Sequence, residues 1–96
     1  MDPDLPSIMI ADVVRSLAGR DAGKLFYVIN MDEAFLTLVN GKERTLEKPK
    51  RKKRKHTKKV LRSETRVAAK LRNGDKVLNS ELRRDLAYFS REMQSE

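Results

Sequence analysis

Short apolar clusters separated by turn residues fill the first two thirds of the chain, and a helical spacing replaces them near residue 63. Leu25-Phe26-Tyr27-Val28-Ile29 is aromatic and β-branched, too short and too apolar on both faces for a surface helix, so it predicts a strand. Met31-Asp32-Glu33 turns the chain, and Phe35-Leu36-Thr37-Leu38-Val39 predicts a second strand. Asn40-Gly41 is the strongest short hairpin signal present, because a type I′ turn needs positive φ at both central residues. It predicts a partner strand from about Glu43 to Glu47, with Pro49 ending the pairing. Val60 and Leu61 predict one more strand. Ile8 to Leu17 is ambiguous: Ile10, Val13, Val14 and Leu17 share a helical face, while Ile8-Met9-Ile10 and Val13-Val14 suit a strand. Ala18-Gly19-Arg20-Asp21-Ala22-Gly23-Lys24 is a turn on either reading, since two glycines four apart permit positive φ at both ends of a tight loop.

Beyond this, Ser63 reads as an N-cap with Glu64 in the first turn, Val67, Ala68 and Leu71 lie on one face, and Gly74 sits where a helix stops. These residues predict a helix over 64–72. Asn79-Ser80 is a second N-cap region, and Leu82, Leu86, Phe89 and Met93 recur at i, i+4, i+7 and i+11, a stripe expected to pack on the sheet. The pattern as a whole is mainly β with α: a small curled antiparallel sheet or barrel over residues 7–62 and a helical extension over 63–96.

Charge changes this picture more than composition does. A chain of 96 residues, 39% hydrophobic and 38% charged, has room for one small domain with a modest core. From Lys42 to Arg62 twelve basic residues stand against Glu43 and Glu47, a local net charge of +10 in a chain of +8, so everything else nets −2. Its densest part is Lys48-Pro49-Lys50-Arg51-Lys52-Lys53-Arg54-Lys55-His56-Thr57-Lys58-Lys59. Charges this dense repel one another, and a polyanion relieves the repulsion while releasing its own condensed counterions, so nucleic acid is the expected partner. The opposing reading is a solvated linker with no partner. On the nucleic-acid reading, replacing Lys50 to Lys55 by Ser or Gln should abolish most binding and leave the melting temperature nearly unchanged.

Other chemistries fall away. The chain has no cysteine and a single histidine, His56, which excludes a disulfide scaffold and a thiolate or histidine metal site. A serine-based triad would depend on His56, whose cationic neighbours oppose its protonation, so neither an enzyme nor a cofactor is expected. Gly19 to Lys24 is one residue short of a nucleotide-binding phosphate loop, and Leu25 stands where a Ser or Thr should hold Mg²⁺. Phe26, Tyr27 and Phe35 are expected in the core rather than stacked on bases. Met1-Asp2-Pro3-Asp4-Leu5-Pro6 is acidic and broken by prolines, so neither a signal peptide nor a membrane contact is expected and the cytoplasm is the default location.

Val13-Val14-Arg15-Ser16-Leu17-Ala18-Gly19-Arg20-Asp21-Ala22-Gly23-Lys24, running into Phe26-Tyr27-Val28-Ile29, resembles the KOW motif, in particular that of large-subunit ribosomal proteins of the archaeal and eukaryotic fourteen-e type. The resemblance covers roughly Ile8 to Lys59. It implies a strand, a glycine loop and a second strand inside an SH3-like barrel, which resolves Ile8 to Leu17 as strand. Where the family pattern has Gly, this chain has Ala11, so a less sharply bent entry to the first strand is expected. The resemblance also implies RNA at the loop, ribosomal RNA above all, with ribosomal proteins as further neighbours. The expected RNA-binding residues are Arg15, Arg20 and Lys24 together with Lys48, Lys50, Arg51, Lys52, Lys53, Arg54, Lys55, His56, Lys58 and Lys59. Against RNA at the loop stands the reading that Asp21 pairs with Arg20 or caps the turn and leaves the loop structural. The alternative is a protein-interaction module of the transcription or translation machinery.

Overall fold

The computed structural model describes residues 7–94, so Met1 to Pro6, with the acidic start, and residues 95–96 lie outside the described residues. Five strands form one antiparallel sheet: β1 (Asp12–Ser16), β2 (Leu25–Met31), β3 (Phe35–Val39), β4 (Lys50–Lys53) and β5 (Thr57–Arg62), followed by α1 (Arg66–Asn73) and α2 (Asn79–Gln94). Their order across the sheet is β4-β3-β2-β1-β5. The two edge strands are consecutive in the chain, joined only by a 3₁₀ turn at Arg54–His56. In a flat sheet four strand spacings would hold these edges at least about 19 Å apart. Three residues of 3₁₀ helix advance the chain only about 2 Å each. The sheet therefore coils until its edges converge at this turn. Two irregularities of register help it bend, one between Val13 and Val14 on β1 against β5 and one between Val28 and Asn30 on β2 against β3.

Both faces of the sheet are covered. Val14, Phe26, Val28, Leu36 and Leu38 form a core on the concave side, with Ile8 and Met31 against it. Val13, Leu25, Tyr27 and Val39 face the other way and meet Val67, Ala68, Val77, Leu82 and Leu86 of the helical part, so a single core spans the sheet and the helices. This is why β2 is apolar at successive positions. Phe26 and Tyr27 are fully buried as expected, whereas Phe35 is only half-buried, on the opposite face from Leu36.

The strand expected over Glu43 to Glu47 is absent, and β4 takes its place inside the basic run. Asn40 does turn the chain, its Oδ1 accepting from the Lys42 and Arg44 amides at 3.0 Å each. The chain then leaves β3 for the start of α2, where Leu46 N donates to Asn79 Oδ1 at 2.9 Å and Asn79 Nδ2 donates to Glu47 Oε1 at 2.9 Å. Gly41 (φ +76°) permits this approach, since a Cβ there would collide with the Asn79 carbonyl. Tertiary contacts thus override the hairpin signal, and the chain returns to β3 with Lys50 opposite Leu38 and Lys53 opposite Phe35. Pro49 precedes the new strand instead of ending an old one.

Ala11 also differs from expectation. Its backbone takes φ +70°, the left-handed region that favours glycine, so the entry to β1 is not the relaxed extended chain expected of an alanine, and its amide donates to Val28 O at 2.8 Å. A non-glycine residue in this conformation costs about 1 kcal/mol.

The first helix is capped by Thr65 rather than Ser63: Thr65 Oγ1 accepts from Ala68 N at 3.1 Å. Ser63 is buried and engaged elsewhere. The Tyr27 hydroxyl, pushed up to about 12 by burial, donates to Asp85 Oδ2 at 2.7 Å and meets Ser63 Oγ at 2.9 Å, while Thr65 Oγ1 donates to the same Asp85 oxygen at 2.6 Å. One phenol thus ties the centre of the sheet to the start of α1 and the middle of α2. Tyr27→Phe is expected to cost about 2 kcal/mol, because Asp85 and Ser63 lose a partner in a buried place. Chemical denaturation measures it, and a loss below about 0.5 kcal/mol would show the network to be dispensable. Among the described residues no helix is long and apolar enough to cross a membrane.

Candidate nucleic-acid interface

The basic run is not a tail. It supplies both edge strands and the 3₁₀ turn between them, and the glycine loop is attached to both halves. On β4 the side chains alternate: Lys50 and Lys52 lie on the side of Leu38 and Leu36, Arg51 and Lys53 on the side of Thr37 and Phe35. Lys52 is buried, and its Nζ reaches the glycine loop, 2.8 Å from Ala18 O and 3.0 Å from Asp21 Oδ1. Burial alone would raise the Asp21 carboxyl, but hydrogen bonds from Lys52 and from Ser16 Oγ outweigh it and hold the group below its ordinary value. At the other half, Leu17 N donates to His56 O at 2.8 Å.

Inside the loop, the amides of Ala22, Gly23 and Lys24 turn inward to Gly19 O, Ser16 O and Asp21 O. They are committed to the turn and do not stand open to phosphate. What the loop presents instead is side chains. A cleft of about 280 Å³ between it and β4 is lined by Gly19, Arg20, Lys24, Arg44, Lys50 and Lys52, with Asp21 and Glu43 as its acids. Arg44 was not anticipated, because its neighbourhood reads as a strand in the sequence.

The expected binding residues fall into three groups. Lys52 and Lys59 are structural cations: Lys52 pairs with Asp21, in place of the Arg20 partner that the structural reading of the loop offered, and Lys59 Nζ lies 3.1 Å from Asp12 Oδ2, a carboxylate with no exposure. Replacing residues 50–55 as a block would therefore unseat the loop along with the charge. Partly engaged are Arg51, which pairs with Asp32 at 2.8 Å and lies 4.0 Å over the Phe35 ring, Arg54, whose Nε donates to Asp32 O at 2.8 Å, and Arg15, whose guanidinium donates to Gly23 O at 2.8 Å. Lys24 pairs with Glu43 at 3.2 Å. Arg20, Lys48, Lys53, Lys55, His56 and Lys58 are exposed and Lys50 is half-buried, none of them in an ion pair among the described residues.

Arg15 and Lys58 stand directly opposite each other across β1 and β5. Like charges so placed repel, and an anion bound between them would relieve it. Glu43 lines the cleft, its Oε1 between Asn40 Nδ2 at 3.0 Å and Lys24 Nζ at 3.2 Å. The Asn40 hydrogen bond, then Lys24 against a burial penalty, holds its carboxyl below the ordinary value. No family model and no curated protein matches the chain.

Proposed function

We propose that this protein binds structured RNA, ribosomal RNA being the expected kind, as a non-catalytic KOW-type SH3-like barrel with a helical extension, resident in the cytoplasm. The coiled five-strand sheet with its edges joined by a 3₁₀ turn supports the barrel reading, alongside the resemblance of Val13 to Ile29 to the motif. The observation that carries the function is the double attachment of the glycine loop, through Lys52 to β4 and through Leu17 to the 3₁₀ turn, which fixes the loop against the basic edge of the sheet as one rigid surface. Such a face suits a folded sugar-phosphate surface better than a flexible polyanion, because its charges are held at fixed spacing. Base-specific readout is slight, since its exposed side chains are Lys and Arg.

A salt titration tests this. With six or more cations on phosphates, affinity for a folded RNA falls about 10³-fold or more between 50 and 200 mM salt. A flat titration, or equal affinity for heparin with Arg20 and Lys24 dispensable, overturns the reading. If a protein partner were the target instead, nuclease treatment of a lysate would leave the protein on fast-sedimenting particles. Glu43→Gln is expected to strengthen RNA binding about fivefold at 100 mM salt, because it removes a carboxylate from the cleft and frees Lys24 for a phosphate. Filter binding of the two proteins checks it, and unchanged or weaker binding places Glu43 outside the contact surface.

A further inference from the structure

The cleft beside β4 does not end at the loop. Lys24 and Glu43 also form one wall of a larger groove, about 580 Å³, on the other side of them. This second groove lies between the glycine loop, the Asn40 to Glu43 turn and α2. Leu25, Leu86 and Ala87 give it an apolar floor, Lys24, Lys42 and Arg83 stand at its rim, and Ser90 adds a hydroxyl. The side chain of Lys42, 77% exposed, lies 4.0 Å from Glu43 Oε2, a loose surface pair that an incoming anion can replace, while Arg83 is fixed by donating from NH1 to Gly41 O at 2.6 Å.

An apolar floor under a cationic rim fits a ligand with a flat hydrophobic body and a negative tether. The volume is in the range that holds a small organic ligand rather than a single ion. Resting on the RNA-binding reading above, we propose that this groove takes an unpaired nucleotide of the bound RNA. The base lies on Leu25, Leu86 and Ala87, and its flanking phosphates meet Lys42 and Arg83, while the paired part of the RNA stays on the β4 side of Lys24. Charge complementarity favours this occupant over a second copy of the chain, whose own +8 would be repelled by the rim. The shared Lys24–Glu43 wall favours it over a separate acidic peptide, since a sugar-phosphate chain crossing that wall fills both hollows continuously.

The test compares one RNA duplex with the same duplex carrying a single unpaired nucleotide, at the same salt, by fluorescence anisotropy. The intact protein is expected to bind the bulged RNA about tenfold more tightly, the gain from taking one base face out of water on an aliphatic floor. Ala87→Gln, a neutral change at an exposed position of α2, fills the floor, and Lys42→Gln removes a rim charge. Each is expected to bring the ratio of the two affinities to within about twofold, with the circular dichroism melting curve confirming the fold. Equal binding of bulged and paired RNA by the parent protein, or a ratio that survives Ala87→Gln, overturns the groove assignment while leaving RNA binding itself intact. No binding of either RNA overturns both readings. Competition by a polyglutamate peptide that Ala87→Gln abolishes, without any preference for the bulge, assigns the groove to an acidic protein segment instead.

Discussion

Lys52→Ala is expected to destabilise the protein by about 3 kcal/mol, whereas Lys53→Ala, one residue away in the same run of like residues, stays within about 0.5 kcal/mol of the parent. The Lys52 and Asp21 side chains are only 9% and 13% exposed, 3.0 Å apart, and Lys52 also satisfies the Ala18 carbonyl. Removing the amine leaves a carboxylate in a place with little water, one of whose oxygens, Oδ2, is already without a hydrogen-bond partner among the described residues. For a domain of this size 3 kcal/mol lowers the melting temperature by about 15 °C. Lys52→Met combined with Asp21→Asn is expected to recover most of the loss, because a neutral pair of similar volume has no charge to strand. Thermal melts of the four proteins decide it. Equal melting of the Lys52 and Lys53 variants would mean that the loop is held by its own turn and not by β4.

Removing charge while sparing the structural cations gives the complementary result. The quadruple replacement of Lys50, Lys53, Lys55 and Lys58 by Gln is expected to weaken RNA binding about 10³-fold at 100 mM salt and to reduce the slope of log affinity against log salt by about 3 to 4. Stability should barely move, since none of the four is in an ion pair among the described residues and relief of mutual repulsion acts in favour of folding. Binding isotherms at four salt concentrations, with a melt of each protein, separate the two effects. A loss under tenfold would take β4 and β5 out of the interface and leave the glycine loop alone with any RNA.

How much of this was legible in the chain depends on whether a residue's role is set by its neighbours in sequence. Leu25 to Ile29 announces itself, because a strand buried on both faces needs no alternation. The stripe Leu82, Leu86, Phe89 and Met93 does the same for α2, and Gly74 for the end of α1, where its φ is +74°. By contrast β4 is four residues of one chemical class, Lys-Arg-Lys-Lys, so alternation between inside and outside leaves no trace in its letters. Only β3, with Leu36 opposite Lys52, selects which lysine turns inward. The helix cap shows a milder form of the same limit: Ser63 and Thr65 both qualify by type, and Thr65 takes the role while Ser63 lies buried against the Tyr27 hydroxyl. Asp85 carried an overlooked signal, an acid three residues after Leu82 and one before Leu86, on the flank of an apolar stripe. For the candidate interface, the charge was plain in the sequence but its division into anchors and free cations was not, since Lys52 finds Asp21 across 31 residues.

The placement of the cations on the outermost strands has an effect with no ligand present. An open strand invites another molecule's backbone to dock alongside, the first step toward fibrils, and rows of lysine and arginine on both margins repel such a neighbour. The very side chains that would draw the protein to a polyanion thus act against docking of one copy's strand on another's.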